Sequence, residues 1–360
     1  MMEKSDLFPQ ILQLLQKLIA QVSYSKEESD AAQIIRDFFS KQNIPYSTRV
    51  NNTWAFNQYY KDDLPTVLLN SHIDTVKANA HWTKDPFSPT IEGDKLYGLG
   101  SNDAGGALVS LIGAFLYFYE QKDLPFNLCI AATAEEEISG QNGIALISDI
   151  TENCAVAIVG EPTENQMATA ERGLMVVDAT VHGVAGHAAR NTGVNAIYLA
   201  VDDLQWFRTH QLDKQCPVLG PTKMTVTMIE AGKQHNVIPD LCTYVIDIRT
   251  TAAYEYQELI DFIQSHVHAK LKPRSMRLKP SLISEKHPIV QAAKDIGIQT
   301  FGSATLSDQS LLKIPSVKLG PGKSERSHTS DEFIYLEELE QGLHTYINLL
   351  KHLKWPSQNK

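Results

Sequence analysis

The sequence predicts an α/β protein into which a smaller α+β domain is inserted. Up to residue 172, apolar runs of strand length alternate with amphipathic stretches of helical length, which is typical of a mixed sheet flanked by helices. Over residues 173–283 the order changes to strand, helix, strand, strand, helix, strand, as in a ferredoxin-like unit. From residue 284 the first pattern returns. We therefore expect residues 1–172 and 284–360 to form one domain and residues 173–283 to form the inserted one.

The first segment opens with two predicted helices. Residues 7–20 combine leucines with glutamines and a lysine at helical spacing, which predicts an amphipathic helix. Ser25 and Glu28 have the spacing of a capping box and predict the start of a second helix, with Ile35 and Phe39 on its apolar face. Beyond them we expect strands at residues 66–71, 126–133 and 155–159 and a helix at residues 104–119.

The inserted domain and the final segment follow from the same periodicities. In the inserted domain we expect strands at residues 174–181, 223–230, 242–249 and 276–283 and helices at residues 194–209 and 254–268. The final segment is expected to contain a helix at residues 287–295, a strand at residues 316–319, a helix at residues 336–353 and a disordered tail at residues 355–360.

Composition and charge argue against several classes of function. The 360 residues carry a net charge of −10 at pH 7 and no basic cluster, so we expect neither nucleic acid nor an anionic membrane surface as a partner. No apolar run approaches the length that spans a bilayer, and polar residues interrupt residues 7–20. We therefore expect no signal peptide and a cytoplasmic location. The cysteines are far apart in sequence and are expected to be buried free thiols.

Histidines and carboxylates follow the predicted strands and a Gly-rich turn. His72 and Asp74 come at the end of the strand at residues 66–71, two positions apart, so both can lie on one face of an extended segment. That arrangement suits a metal ligand and the carboxylate that orients it. Further acidic groups and a second histidine come at comparable places in the sequence: Asp103, Glu135, Glu136, Glu137, Glu161 and His328.

Metal binding explains why these acidic groups would share a pocket. Carboxylates a few ångströms apart raise one another's pKa, and one or two divalent cations remove that conflict. Two histidines with oxygen ligands and no cysteine suit zinc, cobalt or manganese. The set differs from structural zinc sites, which are usually rich in thiolates.

The motifs around these residues resemble those of a known enzyme family. The chain is similar to the dinuclear zinc amidohydrolases and peptidases that include acetylornithine deacetylase, succinyl-diaminopimelate desuccinylase, aminoacylase and carboxypeptidase G, and is most similar to the acetylornithine deacetylase branch. The motifs occur in the same order over essentially the whole chain. They lie at residues 71–76, 82–87, 97–103, 136–137, 160–163, 183–188, 236–240, 247–249 and 320–328.

The resemblance implies a metallopeptidase-like catalytic domain that holds two divalent ions per subunit, in the first place zinc, with cobalt or manganese as alternatives. Asp103 would bridge both ions. His72 and Glu161 would complete one metal site. Glu137 and His328 would complete the other.

The remaining residues of the implied centre carry the acid–base chemistry. By the resemblance, Asp74 would orient His72, and Glu136 would be the general base that takes a proton from the catalytic water. The triple glutamate leaves the register open. If the family motif aligns one residue earlier, Glu135 would be the base and Glu136 the metal ligand.

The resemblance also assigns roles within the inserted domain, which would be a dimerisation or lid domain. His187 would reach across a homodimer interface and stabilise the oxyanion of the tetrahedral intermediate. Asn236 would lie near the substrate. Arg172 and Arg249 are candidates for binding the substrate's carboxylate, since a guanidinium can bind it through two parallel hydrogen bonds. Either arginine could instead form a structural ion pair.

The function implied is hydrolysis of the N-acyl amide of an N-acyl amino acid, as in the acetylornithine deacetylase step of arginine biosynthesis. Two alternatives within the family are removal of a succinyl group and cleavage of dipeptides or C-terminal residues. A non-catalytic binding module is a further alternative from another class. Leu99 and Gly105 stand where the family usually has basic residues, which puts the substrate in doubt rather than the metal centre.

Overall fold

The computed structural model of the protein describes residues 4–190 and 192–355. The chain divides into two compact units. Unit 1 comprises the described residues of Met1–Thr169, Leu282–Gly302 and Ser307–Lys360, and unit 2 comprises those of Ala170–Ser281 and Ser303–Leu306. Of the tail expected at residues 355–360, residues 356–360 lie outside the described part of the chain.

The helices and strands alternate along unit 1 and change order in unit 2. The helices are α1 (Lys4–Ile19), α2 (Ser29–Lys41), α3 (Gly106–Phe118), α4 (Ser148–Thr151), α5 (Ala196–Thr209), α6 (Tyr256–Gln264), α7 (Pro288–Asp295) and α8 (Leu336–His352). The strands are β1 (Ser47–Arg49), β2 (Asn52–Phe56), β3 (Thr66–His72), β4 (Thr90–Glu92), β5 (Lys95–Tyr97), β6 (Asn127–Thr133), β7 (Val156–Gly160), β8 (Met167–Glu171), β9 (Gly173–His182), β10 (Gly186–His187), β11 (Gln215–Cys216), β12 (Gly220–Pro221), β13 (Lys223–Ala231), β14 (Val237–Ile238), β15 (Leu241–Thr250), β16 (Lys270–Pro273), β17 (Ser281–Leu282), β18 (Thr300–Ser303), β19 (Ser316–Leu319) and β20 (Phe333–Tyr335).

The main sheet of unit 1 is mixed, as the sequence predicts. Its strands follow the order β1-β2-β6-β3-β7-β19-β8-β17, and β18 also pairs with β8. The central strands β6, β3, β7 and β19 are parallel to one another, and β2 and β8 flank them antiparallel. Every residue of β3, β6 and β7 is buried, which explains why their sequences are apolar runs without alternation. The predicted fold class is confirmed.

Helices bury the main sheet. The residues of α3 are nearly all buried, because the segment is apolar on every side. The apolar faces of α1 and α8 pack in the same core, with Leu15 and Leu343 fully buried. This packing fixes the start of α3, where the turn with Asp103 lies.

Unit 2 has the ferredoxin-like strand order. Its four-stranded sheet runs β13-β15-β9-β16 with all neighbours antiparallel. Along β9, buried and half-buried residues alternate, so one face of the sheet lies in a core with residues of α5 and α6. Helix and strand order therefore match the pattern expected for the inserted domain.

Two sequence-based expectations about local structure are wrong. The fourth strand of unit 2 is β16 rather than residues 276–283, of which only Ser281–Leu282 forms a short strand. Leu271 alternates there with exposed lysines, a pattern too short to identify from sequence. The expected capping box is also absent from α2, because the Ser25 hydroxyl donates to Asp74, 49 residues away, at 2.7 Å.

Two further expectations concern thiols and membranes. Cys129, Cys154, Cys216 and Cys242 are free and buried, as predicted. Among the described residues, no helix has the length and apolar character needed to cross a bilayer.

Candidate metal centre

The predicted ligands meet at one edge of the unit 1 sheet. His72 is the last residue of β3, the three glutamates follow β6, and Glu161 directly follows β7. These strands are parallel neighbours, and the register pairs His72 with Thr133, the last residue of β6. Because the carboxyl ends of parallel strands lie at the same edge, the polar side chains converge there.

Asp103 lies between the two histidines. It is held in the turn Ser101–Gly105 that precedes α3. Its Oδ1 is 3.4 Å from His72 Nε2, and its Oδ2 is 3.6 Å from His328 Nε2. Each carboxylate oxygen therefore faces a different imidazole, which is the arrangement that a bridging ligand requires.

The other carboxylates complete two groups of ligand atoms. Glu136 Oε2 and Glu161 Oε1 lie 4.0 and 3.9 Å from His72 Nε2, whereas Glu137 Oε2 lies 2.9 Å from His328 Nε2. Potential ligand atoms within 4.8 Å of one another form the sets His72, Asp103 and Glu137, and His72, Glu136 and Glu161.

These separations fit a metal centre. Zinc bonds of about 2.1 Å at tetrahedral angles place ligand atoms roughly 3.4 Å apart. The distances from His72 to its carboxylates, 3.4 to 4.0 Å, are longer than those of good hydrogen bonds but close to this spacing. Imidazole and carboxylate donors without thiolate suit zinc, cobalt or manganese.

The tautomer of His72 suits metal binding. Its Nδ1 lies 2.8 Å from the backbone oxygen of Asp74, and a carbonyl oxygen only accepts, so Nδ1 carries the proton. Nε2 is then left facing the carboxylates. Burial lowers the pKa of His72, but Asp103 and Asp74 together with the charges of Glu136 and Glu161 outweigh it, and the pKa lies well above its usual value. The carboxylates therefore attract positive charge to this point, as a proton or as a cation.

Asp74 holds the glutamate turn as well as His72. Its Oδ1 accepts the backbone N–H of Glu136 at 3.0 Å, and its Oδ2 accepts the backbone N–H of Glu137 at 3.2 Å. The Ser25 hydroxyl donates to the same Oδ2. The carboxylate thus fixes two consecutive residues whose side chains face the histidines.

Glu135 faces away from the ligand groups. Its carboxylate accepts the backbone N–H of Asn142 at 3.1 Å and the Asn142 side-chain amide at 2.8 Å. The chain returns so closely that a Cβ on Gly140 would lie 1.9 Å from Glu135 Oε2. Of the two registers open from sequence, this geometry favours the one in which Glu136 and Glu137 act.

The pKa values of Glu136 and His328 lie above those usual for their side chains. Burial raises the pKa of Glu136 well above its usual range, and the neighbouring Glu161 carboxylate raises it further. The hydrogen bond with Glu137 raises the pKa of His328 to about 9. A carboxylate with a raised pKa is suited to accept a proton and release it again.

Sequence reasoning missed two buried acids next to the ligands. Asp308 accepts a hydrogen bond from Thr133 Oγ1 at 2.9 Å, and burial raises its pKa to about 7. Glu332 accepts backbone N–H groups of the turn that presents Asp103, and burial raises its pKa to about 8. The only signal for Glu332 is its place four residues after His328, and we find none for Asp308.

His187 and Asn236 are neighbours within unit 2. Strands β10 and β14 pair His187 with Val237, and the Ala188 N–H donates to the Asn236 carbonyl at 3.0 Å. The His187 side chain is exposed, and its Nδ1 accepts the Ala189 N–H at 3.1 Å. Nε2 is the nitrogen left to contact a ligand.

The two candidate arginines differ in their partners. Arg172 is buried, and its guanidinium donates to the carbonyls of Pro221, Arg249 and Leu219 at 2.5 to 3.3 Å. Arg249 donates from Nε and Nη2 to the two carboxylate oxygens of Asp247, at 2.8 and 3.1 Å. Its side chain remains 40% exposed. Arg249 is therefore the more accessible of the two.

Comparison with known proteins identifies the family. Residues 68–352, most of the chain, match the family of peptidases described as M20/M25/M40. The chain belongs to peptidase family M20/M25/M40. M20 members are metallohydrolases, and together with the similarity to acetylornithine deacetylases this makes the chain a metal-dependent hydrolase that acts on amide bonds.

Relatives of this M20 chain include two kinds of deacylase. Acetylornithine deacetylase of Buchnera aphidicola subsp. Schizaphis graminum is 28% identical in an alignment 325 positions long that covers 84% of this chain and 85% of that protein. Succinyl-diaminopimelate desuccinylase of Delftia acidovorans is 26% identical in an alignment that is 381 positions long, gaps included, and covers 95% of this chain and 98% of that protein. The fold is similar to that of aminopeptidase PepT from Bacillus cereus, with a TM-score of 0.75, 18% identity and coverage of 98% and 99% of the two chains.

Proposed function

We propose that this M20 hydrolase removes the acyl group from an N-acyl amino acid, as an acetylornithine deacetylase-like enzyme of arginine biosynthesis. The observation that carries the proposal is Asp103, whose two oxygens face His72 and His328 separately. The similarity to acetylornithine deacetylase over 84% of the chain supports the choice of substrate class. The expected cytoplasmic location remains a prediction.

The ligand assignment follows the family resemblance, and the convergence of these side chains supports it. We propose that Asp103 would help to hold both of two ions, that His72 and Glu161 would be the further ligands of one, and that Glu137 and His328 would be those of the other. We propose zinc, with cobalt or manganese as alternatives. When bound, the ions supply Lewis acidity, which polarises the amide carbonyl and lowers the pKa of water.

The protein's own groups then handle the proton. Glu136 takes a proton from water as the water oxygen attacks the carbonyl carbon, and passes it to the amine nitrogen that leaves. Its burial and raised pKa suit both transfers. Asp74 keeps Glu136 in place through its backbone N–H. Glu135, whose carboxylate is bonded to Asn142, has a structural role in this scheme.

We further propose that the enzyme is a homodimer formed through unit 2. Strand β13 is an edge strand and exposes Met228 (64%) and Ile229 (54%), and α5 exposes Tyr198 (72%) and Val201 (52%). Apolar side chains exposed on an edge strand and on a helix commonly mark a surface that another chain covers. In the dimer, His187 would stabilise the oxyanion in the partner's site, and Asn236 and Arg249 would contact the substrate.

A second candidate is an N-succinyl amino acid desuccinylase. The similarity to succinyl-diaminopimelate desuccinylase extends over 95% of the chain, which supports this candidate in addition to the first. Both candidates cleave an N-acyl amide with the same metal centre, so they differ only in the acyl pocket.

Removal and return of metal test the proposed chemistry. Dialysis against a chelator should abolish hydrolysis of Nα-acetylornithine, and zinc or cobalt should restore it. Metal content measured in the same samples should rise to two ions per subunit as activity returns. Hydrolysis that persists in metal-free protein would contradict the proposal.

A further inference from the structure

Glu332 is a buried carboxylate that the proposed reaction does not use. It is 2% exposed, and its oxygens accept three backbone N–H groups of one turn. Oε1 accepts those of Asn102 at 2.8 Å and Asp103 at 2.9 Å, and Oε2 accepts that of Gly100 at 3.2 Å. Burying a carboxylate is costly, and these hydrogen bonds compensate for part of the lost hydration.

The residues bonded to Glu332 present the bridging ligand. Asp103 belongs to the turn, so its backbone N–H is fixed to Glu332 while its side chain lies between the histidines. The sequence separation of 229 to 232 residues means that the C-terminal segment supplies this support.

The same C-terminal segment presents His328. Glu332 lies four residues after His328, and its backbone carbonyl accepts the Gly98 N–H at 3.0 Å. Strand β20 begins at the next residue and pairs with β5, with Phe333 opposite Tyr97. Glu332 therefore joins two segments, one carrying Asp103 and the other carrying His328, at a point next to both ligands.

We propose that Glu332 is a positioning residue that fixes Asp103 and His328 relative to each other and so sets the affinity of the metal centre. This inference rests on the proposed metal centre. The carboxylate acts through the backbone of its neighbours, because its two oxygens accept three N–H groups that no neutral side chain of the same length could all satisfy. Substitution of a residue that supports a metal ligand commonly lowers metal affinity by about 10- to 100-fold.

Glu332→Gln is the direct test, because it keeps the shape of the side chain and replaces one oxygen with an amide nitrogen. At least one backbone N–H of the turn would then face a donor. Metal-free wild-type and variant protein would be titrated with Zn²⁺ in competition with a chromophoric chelator. We expect at least one of the two zinc dissociation constants to rise by about 10- to 100-fold. Glu325→Gln, the same substitution at an exposed side chain of the same segment, should leave both constants unchanged.

The outcomes separate this inference from the proposed function. A wild-type enzyme that binds no zinc would overturn both. If the wild type binds zinc and folded Glu332→Gln binds it with unchanged dissociation constants, only the positioning role is overturned. A lower Tm of the metal-free variant would then show that Glu332 has a purely structural role. If Glu332→Gln does not fold, Glu332→Asp, which keeps the charge but shortens its reach, should weaken zinc binding in the same titration, and unchanged constants in that variant would also overturn the role.

Discussion

The proposed general base and metal ligands are held by groups from distant parts of the sequence. Asp74 fixes Glu136 and Glu137 by their backbone N–H groups, and Ser25 donates to Asp74 from 49 residues away. Such contacts depend on which segments the fold brings together. The strand-end histidine and acids could be predicted because their positions follow from the local pattern, whereas Ser25, Asp308 and Glu332 could not.

The two glutamates of the turn should respond differently to the same substitution. Glu136→Gln should retain both metal ions while kcat falls on the order of 100-fold or more, as expected for a lost general base. Glu137→Gln should lose metal, because its Oε2 lies 2.9 Å from His328 Nε2. Metal content and kcat of both purified variants check this.

Glu135→Gln provides the matched control for the register. Its carboxylate bonds Asn142, so we expect lower stability with metal content retained. If Glu136→Gln loses metal and Glu135→Gln loses only turnover, the register of the triple glutamate is one residue earlier.

Among the elements, the buried strands of unit 1 and the strand order of unit 2 were predicted from periodicity. The apolar sequences of β3, β6 and β7 are long enough to identify. Short strands such as β5, β16 and β20 were not predicted, because three or four residues carry too little pattern and their pairing is long-range.

The turn after β6 should be sensitive to one added methyl group. Gly140→Ala would place a Cβ 1.9 Å from Glu135 Oε2, so the turn must shift. We expect the free energy of unfolding to fall by about 1–3 kcal/mol, the usual cost of overpacking, with weaker metal binding. Denaturant unfolding and metal titration check this, and exposed Gln141→Ala is the control. If Gly140→Ala is as stable as the wild type, the turn accommodates the added methyl group without strain.

Strand β13 should form the proposed dimer interface. Met228→Lys places a charge on its exposed apolar edge and should convert dimers to monomers in sedimentation velocity, because a buried unpaired charge opposes association. Val50→Lys, a similar change at a 61% exposed site of unit 1, should leave the dimer intact. A dimer unaffected by Met228→Lys would place the interface elsewhere.

At the scale of the whole molecule, His187 should act on the active site of the partner subunit. His187→Ala should keep its metal ions while kcat falls by roughly 100-fold, as expected for a lost oxyanion donor. Mixed dimers of His187→Ala and Glu136→Gln subunits contain one intact site if the histidine acts in trans. They should recover up to about half the wild-type activity per dimer. Purified mixed dimers as inactive as both parents would show that His187 does not act across the interface.

The motifs of the sequence were enough to assign the whole chain to a family. They were not enough to identify the substrate, since residues outside the motifs shape the acyl and side-chain pockets. Leu99 illustrates this: it is buried and apolar, whereas the family resemblance implies a basic residue at its position. The metal centre can therefore be predicted from sequence while the acyl group cannot.

The proposed hydrolysis of N-acyl amino acids is tested most directly by kcat/KM of the zinc-loaded enzyme on a panel of substrates. The panel would contain N-acetyl and N-succinyl derivatives of ornithine, citrulline and diaminopimelate together with dipeptides, and Glu136→Gln would serve as the control for contaminating activity. We predict that N-acetylated basic or neutral amino acids give the highest kcat/KM. A clear preference for dipeptides would contradict the account.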